Sequence, residues 1–313
     1  MPATERADVA VAVAYPGLLE VTLGRLYSSA VPPSPSQCAV RHLATGGARR
    51  VYLVEPLTYQ GDRYRFVLKL FLPRQLVYLP PGATLGGTLA HAAGLDAQLL
   101  ERMVWAAQRV DEIAPCLCPR FGGFWEWTGE DGRPQRVMTE EYLEGHSLDG
   151  WKVLLEDRFI RGELDFAQCT EQRRAMERRA IAAYVRLWDV LGRQTFTSDP
   201  SPWNVLFVPT PTGYRPSIID LHSIHDGGTP LYVFQTLEEL FGSRDEIREH
   251  ALCPGILDGL GEADGVRFLE TVRAELETLA EVRSRSGLSS YAPGIRAITR
   301  FLLNPVGIEA SRH

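Results

Sequence analysis

The spacing of apolar and polar positions predicts a β-rich first half and a helical second half. From Cys38 to Phe71 the chain reads CAVRHLATGGARRVYLVEPLTYQGDRYRFVLKLF, three β-prone runs separated by a Gly-Gly turn and a Gln-Gly-Asp turn. That pattern predicts an antiparallel meander. A Pro/Gly-rich stretch, Leu72 to Gly94, leads to helical spacing from Leu95 to Val110, with Leu99, Leu100, Met103, Val104 and Ala107 on one face. Strands are expected again at Phe121–Thr128 and Gln135–Leu143, joined by the turn-forming Gly-Glu-Asp-Gly-Arg-Pro. Beyond Gly145 the period changes. Asp149–Phe159 and Glu171–Arg193 are spaced as helices, the second through Met176, Ala180, Ile181, Tyr184, Val185, Trp188 and Leu191. One short paired element interrupts the helices, Asn204–Pro209 and Tyr214–Asp220 around a Thr-Pro-Thr-Gly turn.

Before Cys38 the segment Val31–Gln37, VPPSPSQ, reads as a linker or irregular lead-in, so residues 1–37 are expected to be an N-terminal extension. The apolar stretch Val9–Ala14 follows Glu5 and Asp8 and is read as neither signal nor anchor. No apolar run reaches the roughly 18 residues of a membrane-spanning helix.

The 313 residues, 45% of them hydrophobic and 23% charged, suffice for a sizeable core in one large domain or two modest lobes. A formal charge of −6 provides no basic field for a phosphate backbone, so nucleic acid is not expected as a partner, nor is a membrane. Five scattered cysteines suit a reducing compartment, and the expected location is cytoplasmic. The 33 basic Lys+Arg side chains include only two lysines, Lys69 and Lys152. In a chain that uses arginine nearly everywhere, a lysine inside an apolar strand marks a place where a compact ammonium is wanted.

Lys69 stands in Arg65–Phe71, RFVLKLF, where its charge needs anionic partners such as phosphate oxygens and a glutamate. In Thr197–Phe207, TSDPSPWNVLF, Asp199 and Asn204 sit at opposite ends of a short loop stiffened by Pro200 and Pro202. In Ile218–His222, IIDLH, Asp220 ends a strand that returns beside Asn204, a pair of hard oxygen donors suited to Mg²⁺. Each alone has a plainer reading: a lysine with a buried stem and wet head, turn formers, a turn-capping aspartate. Together, in this order, they supply what phosphoryl transfer needs: held phosphates, oxygen ligands for a metal, and a carboxylate for the acceptor's proton.

With these residues the chain resembles the protein-kinase-like superfamily, nearest the aminoglycoside phosphotransferase and choline kinase branch, from about Cys38 to Tyr232. The resemblance implies an α+β, bilobal fold: a small antiparallel-sheet N-lobe with one main helix over 38–143 and a larger, mostly helical C-lobe over 144–313. It also implies ATP and Mg²⁺ as cofactors. Lys69 matches the strand lysine on the phosphates, Asp199 and Asn204 the catalytic-loop Asp-x-x-x-x-Asn, and Asp220 the metal aspartate of the Asp-Phe-Gly position, here Asp-Leu-His. Glu101 is the best match for the glutamate that pairs with the lysine, with Asp96 as fallback. Val137–Leu148, VMTEEYLEGHSL, resembles the strand and hinge, so Glu141 and Leu143 would offer backbone groups to adenine and Glu140 would border that pocket from within.

The sequence departs from the family pattern in three places. The phosphate loop is reduced to Thr45-Gly46-Gly47-Ala48, leaving Gly46 and Gly47 to approach phosphates and Arg49 or Arg50 to compensate. Thr197-Ser198-Asp199 replaces the His-Arg-Asp or His-Gly-Asp triplet, and no Ala-Pro-Glu follows Asp220. The short segment after Asp220 favours a small hydroxyl-bearing acceptor over a peptide. The expected activity is therefore an ATP- and Mg²⁺-dependent kinase of a small-molecule alcohol; the alternatives are a pseudokinase that binds nucleotide or scaffolds, and a protein kinase with an atypical short activation segment. Cys116-Leu-Cys118 lacks a second ligand pair at zinc spacing, His222 and His225 are read as loop residues, and Arg173-Arg174 and Arg178-Arg179 as a solvated helix face.

Overall fold

The computed structural model describes residues 10–28, 34–45, 49–56, 64–71, 85–129, 134–197, 201–221, 224–242, 247–284 and 291–303, with backbone alone at 45, 85–97, 99, 197, 225, 283 and 284. The chain divides into two compact units, residues 1–111 with 119–143, and 112–118 with 144–313.

The first unit is built on a five-stranded antiparallel sheet of order β1-β2-β3-β5-β4. Its strands are β1 (Cys38–Thr45), β2 (Arg49–Pro56), β3 (Phe66–Phe71), β4 (Phe121–Thr128) and β5 (Pro134–Glu141). Alternation along the strands separates two faces. Tyr52, Val54, Phe66, Leu68, Leu70 and Val137 form a buried cluster with Leu18, Leu19, Leu23 and Leu26 of helix α1 (Leu18–Tyr27). Residues 18–27, expected within an extension, are therefore the cover of one sheet face, and the reason is visible in their order: Leu18, Leu19, Thr22, Leu23 and Leu26 share one side of a helix. The contact is close. Thr22 Oγ1 and Thr139 Oγ1 lie 2.9 Å apart, and a Cβ on Gly122 would stand 2.5 Å from the same Thr139 oxygen.

Helix α2 (Leu85–Ile113) begins ten positions before the expected Leu95, across a stretch read as Pro/Gly-rich. Ala90, Ala92 and Ala93 in that stretch favour helix enough to carry it past its glycines. Met103, Ala106, Ala107 and Val110 are buried on it.

The second unit is mostly helical. Helices α3 (Leu148–Ile160), α4 (Phe166–Val190), α5 (Pro230–Phe241), α6 (Cys253–Leu260), α7 (Glu262–Ser284) and α8 (Ala292–Leu303) surround two small sheets. One sheet joins β6 (His146–Ser147), β8 (Val205–Thr210) and β9 (Gly213–Ile218); the other pairs β7 (Thr195–Thr197) with β10 (Ile224–Asp226). Helix α4 is the axis of this unit, with Ala180, Ile181, Tyr184, Val185 and Leu187 fully buried. Asp165 caps it through the backbone N–H of Gln168, whose side chain reciprocates, closing a capping box. Helix α6 lies against α4 at backbone distance: Cβ atoms on Gly255 and Gly259 would stand 2.8 Å and 2.7 Å from the carbonyl oxygens of Arg178 and Ala182. Two glycines four residues apart thus meet two carbonyls four residues apart, a contact no larger residue permits.

Candidate functional site

The first group of candidate residues is on the sheet of the N-terminal unit. Phe66, Leu68 and Leu70 face α1, so Val67, Lys69 and Phe71 face the other way. Lys69 pairs in register with Val51 of β2 and Met138 of β5, and Glu140 pairs with Val67 and Phe121. Lys69 and Glu140 are therefore diagonal neighbours on adjacent antiparallel strands. The ammonium Nζ stands 2.6 Å from Glu140 Oε2, and both side chains are buried, 5% and 6% exposed. Leu53, Phe121 and Met138, all buried, complete an apolar setting around the two charges. Glu101, the expected partner, is exposed on α2. Strand order places β5 beside β3, so the carboxylate of Glu140 reaches the lysine within the sheet.

The end of β5 is pinned from the neighbouring turn. Glu141 donates its N–H to the Arg120 carbonyl (2.9 Å) and accepts from Arg120 Nη2 at 3.1 Å. One backbone donor of the expected adenine contact is thus engaged by Arg120, while Leu143 follows two residues on, half-buried. Arg65 stacks over the Tyr142 ring at 4.9 Å between them. Gly46 and Gly47 lie outside the described residues.

The second group is on the hairpin of the C-terminal unit. Strand β7 ends at Thr197; Asp199 lies outside the described residues, and the chain is described again from Ser201. A 3₁₀ turn over Pro202–Asn204 then delivers the chain into β8, its proline supplying the fixed φ such a turn starts from. The buried Tyr184 hydroxyl of α4 donates to the Ser201 carbonyl at 3.1 Å and holds the entry to this turn. Val205 pairs with Ile218 across the hairpin, and the next step of the ladder is the bond from Ile219 N–H to the Asn204 carbonyl, 2.9 Å. Asp220 follows at once. The hairpin therefore brings Asn204, 7% exposed, and the half-buried Asp220 to the same end of β8 and β9. This end is tied to the unit by Ile218 N–H, which donates to the Leu117 carbonyl at 2.8 Å.

An amide oxygen and a carboxylate at one strand end are hard oxygen donors, too few for an all-protein cage and suited to a cation that completes its shell from phosphates and water. Mg²⁺ held with a nucleotide fits that donor set. No group of three or more His, Cys, Asp and Glu side chains gathers as a metal cluster among the described residues. Cys116 is exposed and Cys118 buried, both free thiols, and His222 lies outside the described residues.

No protein-family model matches the chain, and no curated protein matches it. Among solved structures it is similar to one titled "WaaP in complex with acyl carrier protein", at 17% sequence identity, covering 86% of this chain and 90% of that one, with a TM-score of 0.38.

Proposed function

We propose that this protein is an ATP- and Mg²⁺-dependent phosphotransferase that phosphorylates a hydroxyl of a small molecule. The observation that carries the reading is the Ile219–Asn204 backbone bond, which closes the hairpin and sets Asn204 beside Asp220. Lys69, one of two lysines in the chain, is buried against a carboxylate, as expected of an ammonium kept at fixed position and charge for phosphate oxygens.

In this reading Asn204 and Asp220 hold the metal, which neutralises charge on the phosphates when bound. Lys69, held by Glu140, takes phosphate oxygens, while Gly46 and Gly47 let the backbone approach them. The base rests against backbone groups of Glu141 and Leu143. Asp199 accepts the acceptor hydroxyl's proton as that oxygen bonds to the γ-phosphorus and the β–γ bridge oxygen departs with ADP. The protein's contribution is positioning and charge compensation, so few side chains carry a large share of the rate. The five free thiols fit a cytoplasmic setting for the same enzyme.

The reading is tested by Mg²⁺-dependent ATP consumption against a panel of small hydroxylated acceptors, with wild type beside Asp199→Asn and Asp220→Ala. Turnover in wild type that disappears in both variants, with folding retained, supports it. Turnover that survives in either variant rejects the assigned roles. Nucleotide binding without turnover on any acceptor supports the pseudokinase instead, a reading favoured by Thr197-Ser198 in place of the usual triplet.

A further inference from the structure

The C-terminal unit carries a second concave feature, formed by residues 114–117, α4, β9 and the end of α6. It is a groove of about 620 Å³, within the range of small-molecule sites. Its floor and rim follow from the period of α4. Arg179, Ala182, Ala183 and Arg186 fall at helical spacing on one face, so two arginines flank two alanines, and Gly259 packs against Ala182 from α6. Small residues keep the floor low while the guanidinium groups stand at both ends. Arg215 enters from β9 as the third arginine of the lining.

The charges in the groove are not balanced from within. Asp258 also lines it, but its two oxygens are taken by Arg178 outside the lining, at 2.5 Å from Nε and 2.7 Å from Nη2. Arg186 has Asp189 at 3.0 Å, and Arg179 makes a 3.5 Å contact with the Tyr214 carbonyl. Arg215 Nη1, itself a buried atom, has no hydrogen-bond partner among the described residues. Arg179 and Arg215 have no carboxylate partner among the described residues, and a guanidinium cannot shed its charge. Three arginines at one groove suit an oxyanion with several acceptor oxygens, and a chain of net charge −6 has no general reason to gather such a patch.

We infer that this groove binds the phosphate group of a small phosphorylated molecule. Guanidinium forks match phosphate oxygens, which an isolated ammonium does only as a point charge. The volume exceeds what a bare phosphate fills, leaving room over Ala182, Ala183 and Gly259 for an organic body. The inference does not depend on the phosphotransferase reading, since none of its residues belongs to that site.

The test is calorimetric titration of the full chain, without Mg²⁺ and with a chelator, using inorganic phosphate and ribose 5-phosphate at matched ionic strength. Saturable binding of both is expected, with the sugar phosphate tighter. Arg215→Gln and the exposed Arg179→Gln should each weaken it tenfold or more, while Arg267→Gln, exposed and outside the lining, leaves it unchanged. Arg215→Gln removes a donor without a partner and should keep the melting temperature, so lost binding is not lost folding. Cys116, exposed and in the lining, should be alkylated more slowly with ribose 5-phosphate present. Absence of saturable binding, or equal binding by wild type and both arginine variants, overturns the site. Equal affinity for phosphate and sugar phosphate overturns the organic ligand. Asp199→Asn should bind as wild type does, so failure of the kinase reading leaves this one standing.

Discussion

Removing Lys69 should damage the fold as well as the chemistry. Lys69→Met leaves the Glu140 carboxyl, 6% exposed, among Leu53, Phe121 and Met138 with its 2.6 Å partner gone. Breaking a buried pair from one side costs about 3–5 kcal/mol, because the remaining charge stays desolvated. Glu140→Leu removes the same 2.6 Å pair from the other side and should also destabilise. Replacing both at once, Lys69→Met with Glu140→Leu, removes the desolvation together with the attraction, and buried pairs exchanged for apolar residues of similar volume are often neutral or better. The double variant should therefore lie within about 1–2 kcal/mol of wild type, and the cycle should close with a coupling of several kcal/mol, far above the ~0.2–1 kcal/mol of an exposed pair. Urea unfolding of the four proteins measures the cycle, with hydrogen exchange at β3 and β5 locating the loss. The folded double variant should fail to bind ATP. Single variants within about 1 kcal/mol of wild type, or a double variant as unstable as the sum of the singles, would show that Lys69 and Glu140 do not compensate one another.

Three further outcomes are expected. Gly259→Ala should destabilise by about 1–3 kcal/mol, since its Cβ would press on the Ala182 carbonyl at 2.7 Å, whereas Gly24→Ala on α1, with nothing within 4 Å, should stabilise by about 0.5–1 kcal/mol; chemical denaturation decides both, and similar effects at the two sites would reject the close packing. Burial raises the Glu177 carboxyl above its ordinary value of 4.5, only partly offset by Arg173 and Lys152. The folded state then holds this proton to higher pH than the unfolded chain, so Glu177 penalises stability above its folded pKa and the penalty fades as pH falls toward 4.5. Glu177→Gln should raise the melting temperature at neutral pH, and a gap that stays constant down to acid pH would contradict the cause given. Tyr184→Phe deletes the bond to the Ser201 carbonyl and should cost about 1 kcal/mol while lowering kcat more than it changes KM; an unchanged kcat would mean that Tyr184 does not position the Asn204 turn.

Elements set by local periodicity were legible in the sequence. The meander through Cys38–Phe71, the pairing of Phe121–Thr128 with the strand expected over Gln135–Leu143, which runs Pro134–Glu141, and the hairpin that brings Asn204 back beside Asp220 all rest on alternation and on turns a few residues long. Nonlocal register was not legible. That Glu140 sits diagonally across from Lys69 depends on β3 pairing with β5 over some seventy intervening positions, which no local pattern encodes. Helix α1 is a different case: Leu18, Leu19, Leu23 and Leu26 carried the signal, but the proline-rich VPPSPSQ that follows drew a boundary ahead of the sheet α1 covers. The Arg178-Arg179 pair was read as solvated surface because periodicity reports only which face of α4 is polar. It takes the arrival of α6 and β9 to make Arg178 a partner of Asp258 and Arg179 one wall of a groove.

The hairpin end itself is tested most directly by measuring ATP affinity with and without Mg²⁺ in wild type, Asn204→Ala and Asp220→Ala. Wild type should bind ATP more tightly when Mg²⁺ is present, and both variants should lose that gain while keeping a similar metal-free affinity. An undiminished Mg²⁺ effect in either variant would mean that the metal is held elsewhere and that Asn204 and Asp220 meet at the hairpin end for structural reasons alone.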